Sequence, residues 1–341
     1  NATVIGRLGD TTQLGAVALG AVIFDILFWA FGFLRMGTAG LTAQAFGAGD
    51  ESEMRNAFWR SLMISAAIGA LILLLRRPIA DVAIGFMQAG PEVARVAHDY
   101  MAARVWSAPI ALANYAVLGS LIGRGRTDLG LAAQIAINLA NIALSLLFVA
   151  RFDWGVVGVA WASVIAEAVG LVLGMLFQAR AGLFHRPRWA AIFDRALMWR
   201  TLAVNRDIFL RTLALIAAIA FFTRRGAQSG DVVLAANAVL HNLFLIGSFF
   251  LDGFATATET TSGQAVGARD RKGFSEAVRI GAIWCMGFGL AATLLAFFGG
   301  GSLIDFISTS VEVRTTARDY LWFAALTPLA GALAFLFDGV F

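Results

Sequence analysis

About nine apolar runs fill most of this chain, and roughly 20 consecutive apolar residues are what a helix needs to cross a bilayer. They occupy 14–40, 57–75, 97–122, 129–150, 156–179, 206–223, 234–258, 279–298 and 319–341. Each is too long and too evenly apolar for a strand, and the glycines inside many of them suit membrane helices. Turn signals separate them, among them Gly47-Ala48-Gly49-Asp50, Gly123-Arg124-Gly125-Arg126 and Ala268-Arg269-Asp270-Arg271. Only 14% of the 341 residues are charged and 59% are hydrophobic. Ordinary soluble domains have about 25% charged and 45–50% apolar residues. That shortage excludes a soluble enzyme, a nucleic-acid-binding domain and a disordered chain. The fold class is an all-α polytopic membrane protein, and its solvent is the lipid bilayer.

The charges that do occur report on topology. The net charge is +4 and Lys272 is the sole lysine. Counted over alternate loops, about thirteen basic residues fall on one side and ten on the other. The long connection around 180–205, with His185, Arg186, Pro187, Arg188, Arg195 and Arg200, tips the balance. It predicts that this linker and the 47–56 and 268–278 loops are cytoplasmic. Cys285 is the single cysteine, so no intramolecular disulfide is expected.

The chain repeats itself at an offset of 220 residues. Gln44-Ala45-Phe46-Gly47-Ala48-Gly49-Asp50 returns as Gln264-Ala265-Val266-Gly267-Ala268-Arg269-Asp270. Leu14 matches Leu234, Phe24 Phe244, Thr38 Thr258, Gly69 Gly289 and Asp99-Tyr100 Asp319-Tyr320. A slip of one residue then brings Pro109 onto Pro328. Six spans per period, an even number, make the two copies parallel repeats about an axis along the membrane normal. Extending the repeat predicts one further span before Asn1 and two after Phe341, hence a six-plus-six transporter of which this is a part. The expected division is an N-terminal bundle at 1–180, a cytoplasmic linker at 181–204 and a C-terminal bundle at 205–341.

Polar residues inside spans cost free energy unless they face a partner or a wet cavity, so they carry most of the functional information. Asn237, His241, Ser248, Asp252, Thr256 and Glu259 form one stripe on the seventh run and its extension. Asp252 and Glu259 lie seven residues apart, about 10 Å along the axis. They either hold a proton or cation, or Asp252 pairs with an arginine and Glu259 sits at the interface. The equivalent helix of the first copy carries Asp25 and Arg35. Asp25 is a coupling candidate or a structural partner, and Arg35 contacts anionic substrate or locks helices. Gln134, Asn138, Asn141 and Ser145 line one face of 129–150, as interhelical hydrogen-bond glue or as cleft lining. Glu167 shares a face with Ser163, Gly170, Gly174 and Gln178, the two glycines making a GxxxG contact. Asp207 and Arg211 are spaced for an i,i+4 ion pair, and Asp338 is a lone acid in the last run. Pro109 and Pro328 interrupt helix hydrogen bonds at related points and predict bends.

Absences narrow the energy source. Lys272 is followed by glycine rather than Ser or Thr, so no Walker A loop is present. No His-Glu-x-x-His and no Gly-x-Ser-x-Gly occur, and His98, His185 and His241 are too dispersed for a metal site. An enzyme is not expected, nor a cofactor beyond a coupling proton or sodium ion.

The chain resembles the multidrug and toxic compound extrusion (MATE) transporters, in particular their DinF-type branch. The resemblance rests on Ile5-Gly6-Arg7-Leu8-Gly9-Asp10, Phe33-Leu34-Arg35-Met36-Gly37-Thr38 and Gly40-Leu41-Thr42-Ala43-Gln44-Ala45. It continues through Asn205-Arg206-Asp207-Ile208-Phe209-Leu210-Arg211-Thr212, Leu234-Ala235-Ala236-Asn237 and Leu251-Asp252-Gly253-Phe254-Ala255. It implies twelve helices in two six-helix bundles around a V-shaped cleft. It also implies exchange of amphipathic, often cationic compounds against protons or sodium across a bacterial cytoplasmic membrane, by a monomer. Where the family commonly has a coupling Asp, this chain has Asn1, which cannot titrate. Asp338 matches an acid of sodium-coupled relatives, and Asp252 and Arg211 match positions typical of the DinF branch. The ion-coupling candidates are therefore Asp25, Asp252, Glu259 and Asp338. The cleft candidates are Arg35, Asn138, Asn141, Glu167, Asp207, Arg211, Asn237 and His241. A lipid-linked oligosaccharide flippase of the same superfamily and a non-transporting membrane scaffold are the rival readings.

Overall fold

The computed structural model describes residues 11–88, 90–184 and 189–340. Asn1, the Ile5–Asp10 motif and His185–Arg188 of the linker lie outside the described residues. Every regular element among the described residues is helical, as expected where no water is present to satisfy backbone groups left open by a sheet edge. Among the described residues, eight helices are long and apolar enough to cross a membrane. The run at 206–223 is helical too, but Arg206, Asp207 and Arg211 make it less apolar than the others, and it is the middle of one 34-residue helix, Arg195–Gln228. Asp194 starts that helix by accepting a hydrogen bond from the Leu197 amide at 2.9 Å.

Two compact units divide the chain, Asn1–Phe46 with Asp50–Phe209 and Gly47–Gly49 with Leu210–Phe341. The first unit contains α1 (Thr11–Ala30), α2 (Phe33–Gly47), α3 (Glu51–Leu74), α4 (Arg76–Met87) and α5 (Pro91–Arg104). One 3₁₀ turn, Val105–Ser107, leads into α6 (Ala108–Gly123), followed by α7 (Thr127–Leu146) and α8 (Gly155–Arg180). The short α9 (Trp189–Ile192) precedes α10 (Arg195–Gln228), which runs on into the second unit with α11 (Asp231–Gly267), α12 (Arg271–Ile307), α13 (Val311–Asp319) and α14 (Leu321–Val340).

The described part of the linker is packed. Leu183 and Ile192 are buried, the Trp59 indole donates to the Leu183 carbonyl at 3.1 Å, and buried Arg60 donates to the Ala191 carbonyl at 3.3 Å while pairing with Glu53.

The repeated loop motif has a local physical cause. Asp50 accepts from the Glu53 amide at 2.9 Å and so caps α3; Asp270 accepts from Lys272 and Gly273 at 3.0 Å and caps α12. The preceding residue is left-handed in both copies, φ +67° at Gly49 and +55° at Arg269. Glycine adopts that conformation freely, whereas Arg269 does so at a cost.

Close packing repeats as well. A Cβ on Gly119 would sit 2.4 Å from the Arg35 carbonyl oxygen, and one on Gly339 would sit 2.4 Å from that of Ala255. Both residues of the second contact lie 220 positions beyond those of the first. Likewise Gly69 packs on Pro109 and Gly289 on Pro328. These glycines let helix backbones touch, the usual basis of helix association in lipid. The two prolines differ in setting: Pro109 opens α6 after the 3₁₀ turn, whereas Pro328 lies inside α14. The GxxxG pair of α8 serves two partners, Gly170 against Ile137 and Gly174 against Val117.

Gly119→Ala and Gly339→Ala should each lower stability by about 1–3 kcal/mol, because a methyl group there meets a backbone carbonyl. Gly287, with open space around it, is the control. Thermal melting of the purified protein should show a drop for the first two and none for Gly287→Ala.

Candidate functional site

In the second unit, the Gly339–Ala255 contact sets the depth at which α14 meets α11. It places Asp338, one residue away, level with the stretch of α11 that carries Asp252, Ala255 and Glu259 on one face. Arg211 of α10 donates a hydrogen bond to the Asp338 carboxylate, an ion pair between residues 127 positions apart in sequence. Asp252 and Glu259 are close enough to Arg211 to attract it electrostatically. Three of the four ion-coupling candidates thus gather around one guanidinium. Both members of the ion pair stay accessible, Arg211 at 43% and Asp338 at 36%.

This arrangement corrects the i,i+4 pairing of Asp207 with Arg211. Asp207 instead accepts from the Nε of its neighbour Arg206 at 2.9 Å, which leaves Arg211 turned toward Asp338. A direct neighbour reaches a short aspartate easily, and a partner on a packed helix outcompetes one along the same helix.

The polar stripe on α11 splits by depth. Asn237 and His241 line a cavity of about 510 Å³ whose other walls include Phe222, Phe244, Tyr320, Phe323 and Thr327. His241 lies over Phe244, ring centres 5.7 Å apart. Eleven residues, about 16 Å along the helix, separate His241 from Asp252. Ser248 bonds back to the Phe244 carbonyl at 2.9 Å and belongs to neither group.

In the first unit, the polar residues converge on Tyr115. Glu167, Arg35, Asp25 and Arg104 all act on it electrostatically. Asn114 donates to the Glu167 carboxylate at 2.8 Å and to its backbone carbonyl at 3.0 Å, fixing the acid against α6. A cavity of about 190 Å³ is lined by Asn114, Tyr115, Gln134 and Glu167. Arg104 stacks over Phe24 and Phe28, 5.4 and 5.5 Å from the ring centres, bonds to Ser107 and attracts Asp25. Asn141 donates to the Ser163 hydroxyl at 2.8 Å, an α7–α8 tie. Asn138 is exposed and joins neither cluster.

Tyr115, Asn114 and Arg104 are absent from the sequence-derived candidates. The first two are polar residues in the middle of an apolar run, a signal present in the sequence. Arg104 stands at the end of α5 with its side chain over aromatic rings of α1.

The sequence profile described as MatE matches residues 2–147 and 209–341, most of both units. The chain belongs to the MatE family. Within it the chain stands with the DinF-type branch. It is 35% identical over 99% of its length to DNA damage-inducible protein F of Escherichia coli, and spans 74% of that relative. Solved structures share the fold. A MOP superfamily transporter from Pyrococcus furiosus superposes with a TM-score of 0.87 at 22% identity, covering 99% of this chain and 77% of its own. A multidrug resistance MATE family transporter in an outward-facing conformation superposes at 0.85 and 23% identity, covering 97% and 75%. This MatE chain is therefore a multi-pass membrane protein whose relatives are transporters.

If Arg211 is the hub described here, Arg211→Gln should destabilise the protein by about 1 kcal/mol through the partly exposed Asp338 pair. Arg211→Gln/Asp338→Asn should recover much of that loss, whereas Arg211→Gln/Asp207→Asn should not. A double-mutant cycle on thermal melting reads the difference.

Proposed function

We propose that this chain is part of a secondary active multidrug efflux transporter. It exchanges protons or sodium against amphipathic, often cationic small molecules by alternating access in a bacterial cytoplasmic membrane. It works as a monomer and needs no cofactor beyond the coupling ion. The linker and the 47–56 and 268–278 loops face the cytoplasm in this reading.

One observation carries the reading: Arg211 pairs with Asp338 and also lies within the electrostatic reach of Asp252 and Glu259. In a low-dielectric setting, carboxylates competing for one guanidinium are stabilised by taking up a proton or a sodium ion. Ion uptake at Asp338 weakens its hold on Arg211 and lets the guanidinium move toward α11, which couples ion occupancy to the packing of α10, α11 and α14. Such a coupling drives exchange when ion and substrate favour different helix arrangements. The aromatic cavity beside His241 and Asn237 offers rings and neutral polar groups to an amphipathic cation. The cluster around Tyr115, Glu167 and Asp25 supplies a second ionisable centre in the first unit. A flippase of lipid-linked oligosaccharides calls for a basic lining, which the carboxylates around Arg211 do not supply. A scaffold has no use for ionisable groups inside its spans.

The test is drug efflux by the full-length protein in proteoliposomes, with proton and sodium gradients imposed separately. Asp338→Asn and Asp252→Asn should each slow gradient-driven ethidium efflux by roughly tenfold or more, one proton-sized contribution to a coupled step. Unchanged efflux in both variants under both gradients would remove these residues from coupling.

A further inference from the structure

The first unit has a basic cavity that the transport reading leaves unused. It measures about 360 Å³ and lies where α4 and α5 meet α1, with Arg76, Arg77, Asp81, His98 and Trp106 among its lining residues. α3 begins at Glu51 and ends at Leu74, so its length of about 36 Å carries Arg76 to the opposite membrane surface from the Gly47–Asp50 loop. Arg76 lies 5.6 Å from the Trp106 ring centre. Among the described residues, Arg77 makes no hydrogen bond or ion pair. The one acid in the lining, Asp81, faces His98, whose Nε2 is 3.8 Å from its Oδ1.

In the second unit the turn between α12 and α13, which matches the α4–α5 turn at the 220-residue offset, uses its arginines internally. Arg318 donates to the Asp305 carboxylate at 2.5 Å. Arg314 donates to the carbonyls of Ser308 and Asp305, at 2.5 and 2.9 Å, and so closes the end of α12. Position 305 is equivalent to Gly85 in the first unit, which therefore has no acid there. Arg76 and Arg77 themselves match Ala296 and Phe297, so the second copy has no cations at the equivalents of this site.

The surroundings place this open site at the lipid headgroups. α4 buries Ala80 and Ile84 and turns Val82 and Phe86 outward, 73% and 83% exposed, with Leu74 beside them at 78%. An apolar outer face next to a basic end is how a short helix lies along a membrane interface. Exposed Trp106 adds an indole of the kind enriched at that level.

We propose that this cavity binds an anionic phospholipid. The phosphate sits against Arg76 and Arg77, and the acyl chains run along Leu74, Val82 and Phe86. The two guanidiniums supply donors matched to phosphate oxygens. The apolar face selects a lipid over a free anion.

Native mass spectrometry of the full-length protein released from nanodiscs tests the assignment. The wild type should retain phosphatidylglycerol and not phosphatidylcholine. Arg76→Gln/Arg77→Gln should weaken retention by roughly thirtyfold, the expectation for two basic contacts with an anionic headgroup. Arg95→Gln removes an exposed charge that pairs with Glu92 outside the cavity and should leave retention unchanged. Equal melting of the double variant and the wild type in lipid-free detergent checks that folding is intact. Equal retention of phosphatidylcholine, an equal loss in Arg95→Gln, or displacement of phosphatidylglycerol by millimolar inorganic phosphate would each overturn the proposal, the last by showing a free-anion site.

Discussion

In hydrocarbon a peptide group left without a partner costs several kcal/mol, so each segment must satisfy its own backbone. That requirement makes every long element among the described residues a helix, and it also limits how those helices associate. With no hydrophobic drive between apolar surfaces in lipid, close backbone approach does the work. Gly119 against Arg35 and Gly339 against Ala255 are such approaches. They fix the depth of α6 on α2 and of α14 on α11, and with it the level at which side chains from different helices meet.

Function follows from what stands next to those contacts. In the second unit, Asp338 adjoins Gly339, and Ala255 lies between Asp252 and Glu259, so Arg211 pairs with Asp338 within the electrostatic reach of the two acids of α11. In the first unit, the equivalent of Asp338 is Leu118, and the equivalent of Ala255 is Arg35 itself. The polar group consequently forms elsewhere, around Tyr115, with Asn114 tying Glu167 to α6. Identical backbone packing therefore supports two different chemistries, because it constrains glycines and leaves their neighbours free.

Local features were legible in the sequence. Apolar run length gave the helices, and the recurrence of Gly-Asp and Arg-Asp at the 47–50 and 267–270 loops marked two caps of the same construction. Gly69 with Gly289 and Pro109 with Pro328 were matched as isolated positions, and the structure shows that each glycine packs on the proline of its own copy. Asp25, Asp252, Glu259 and Asp338 were recognisable as acids out of place. Their partners were not. Helical spacing allowed Asp207 to meet Arg211, yet Arg211 pairs across 127 residues with Asp338. Periodicity describes one helix at a time, and the choice between a partner along the helix and one on its neighbour depends on packing depth. Arg104 was missed for a related reason: only packing between helices brings the rings of Phe24 and Phe28 against it.

The two copies also part at the surface away from the 47–56 and 268–278 loops, where α12 runs on unbroken past the point at which α3 ends. A membrane-surface turn must find partners for both its helix-end carbonyls and its cations. The second unit meets both needs with one device, Arg314 on the carbonyls and Asp305 on Arg318. In the first unit the short helix α4 follows α3 after a single residue, and the Leu75 amide bonds back to the Leu71 carbonyl at 2.9 Å. The chain closes that helix end with its own backbone, so Arg76 and Arg77 are not required for it. A charge without a structural task persists at a lipid interface at little cost, because the headgroup region solvates it. The break after α3, which α12 lacks, thus places Arg76 and Arg77 where the second copy has Ala296 and Phe297, and gives the first copy a basic surface able to recognise the membrane around it.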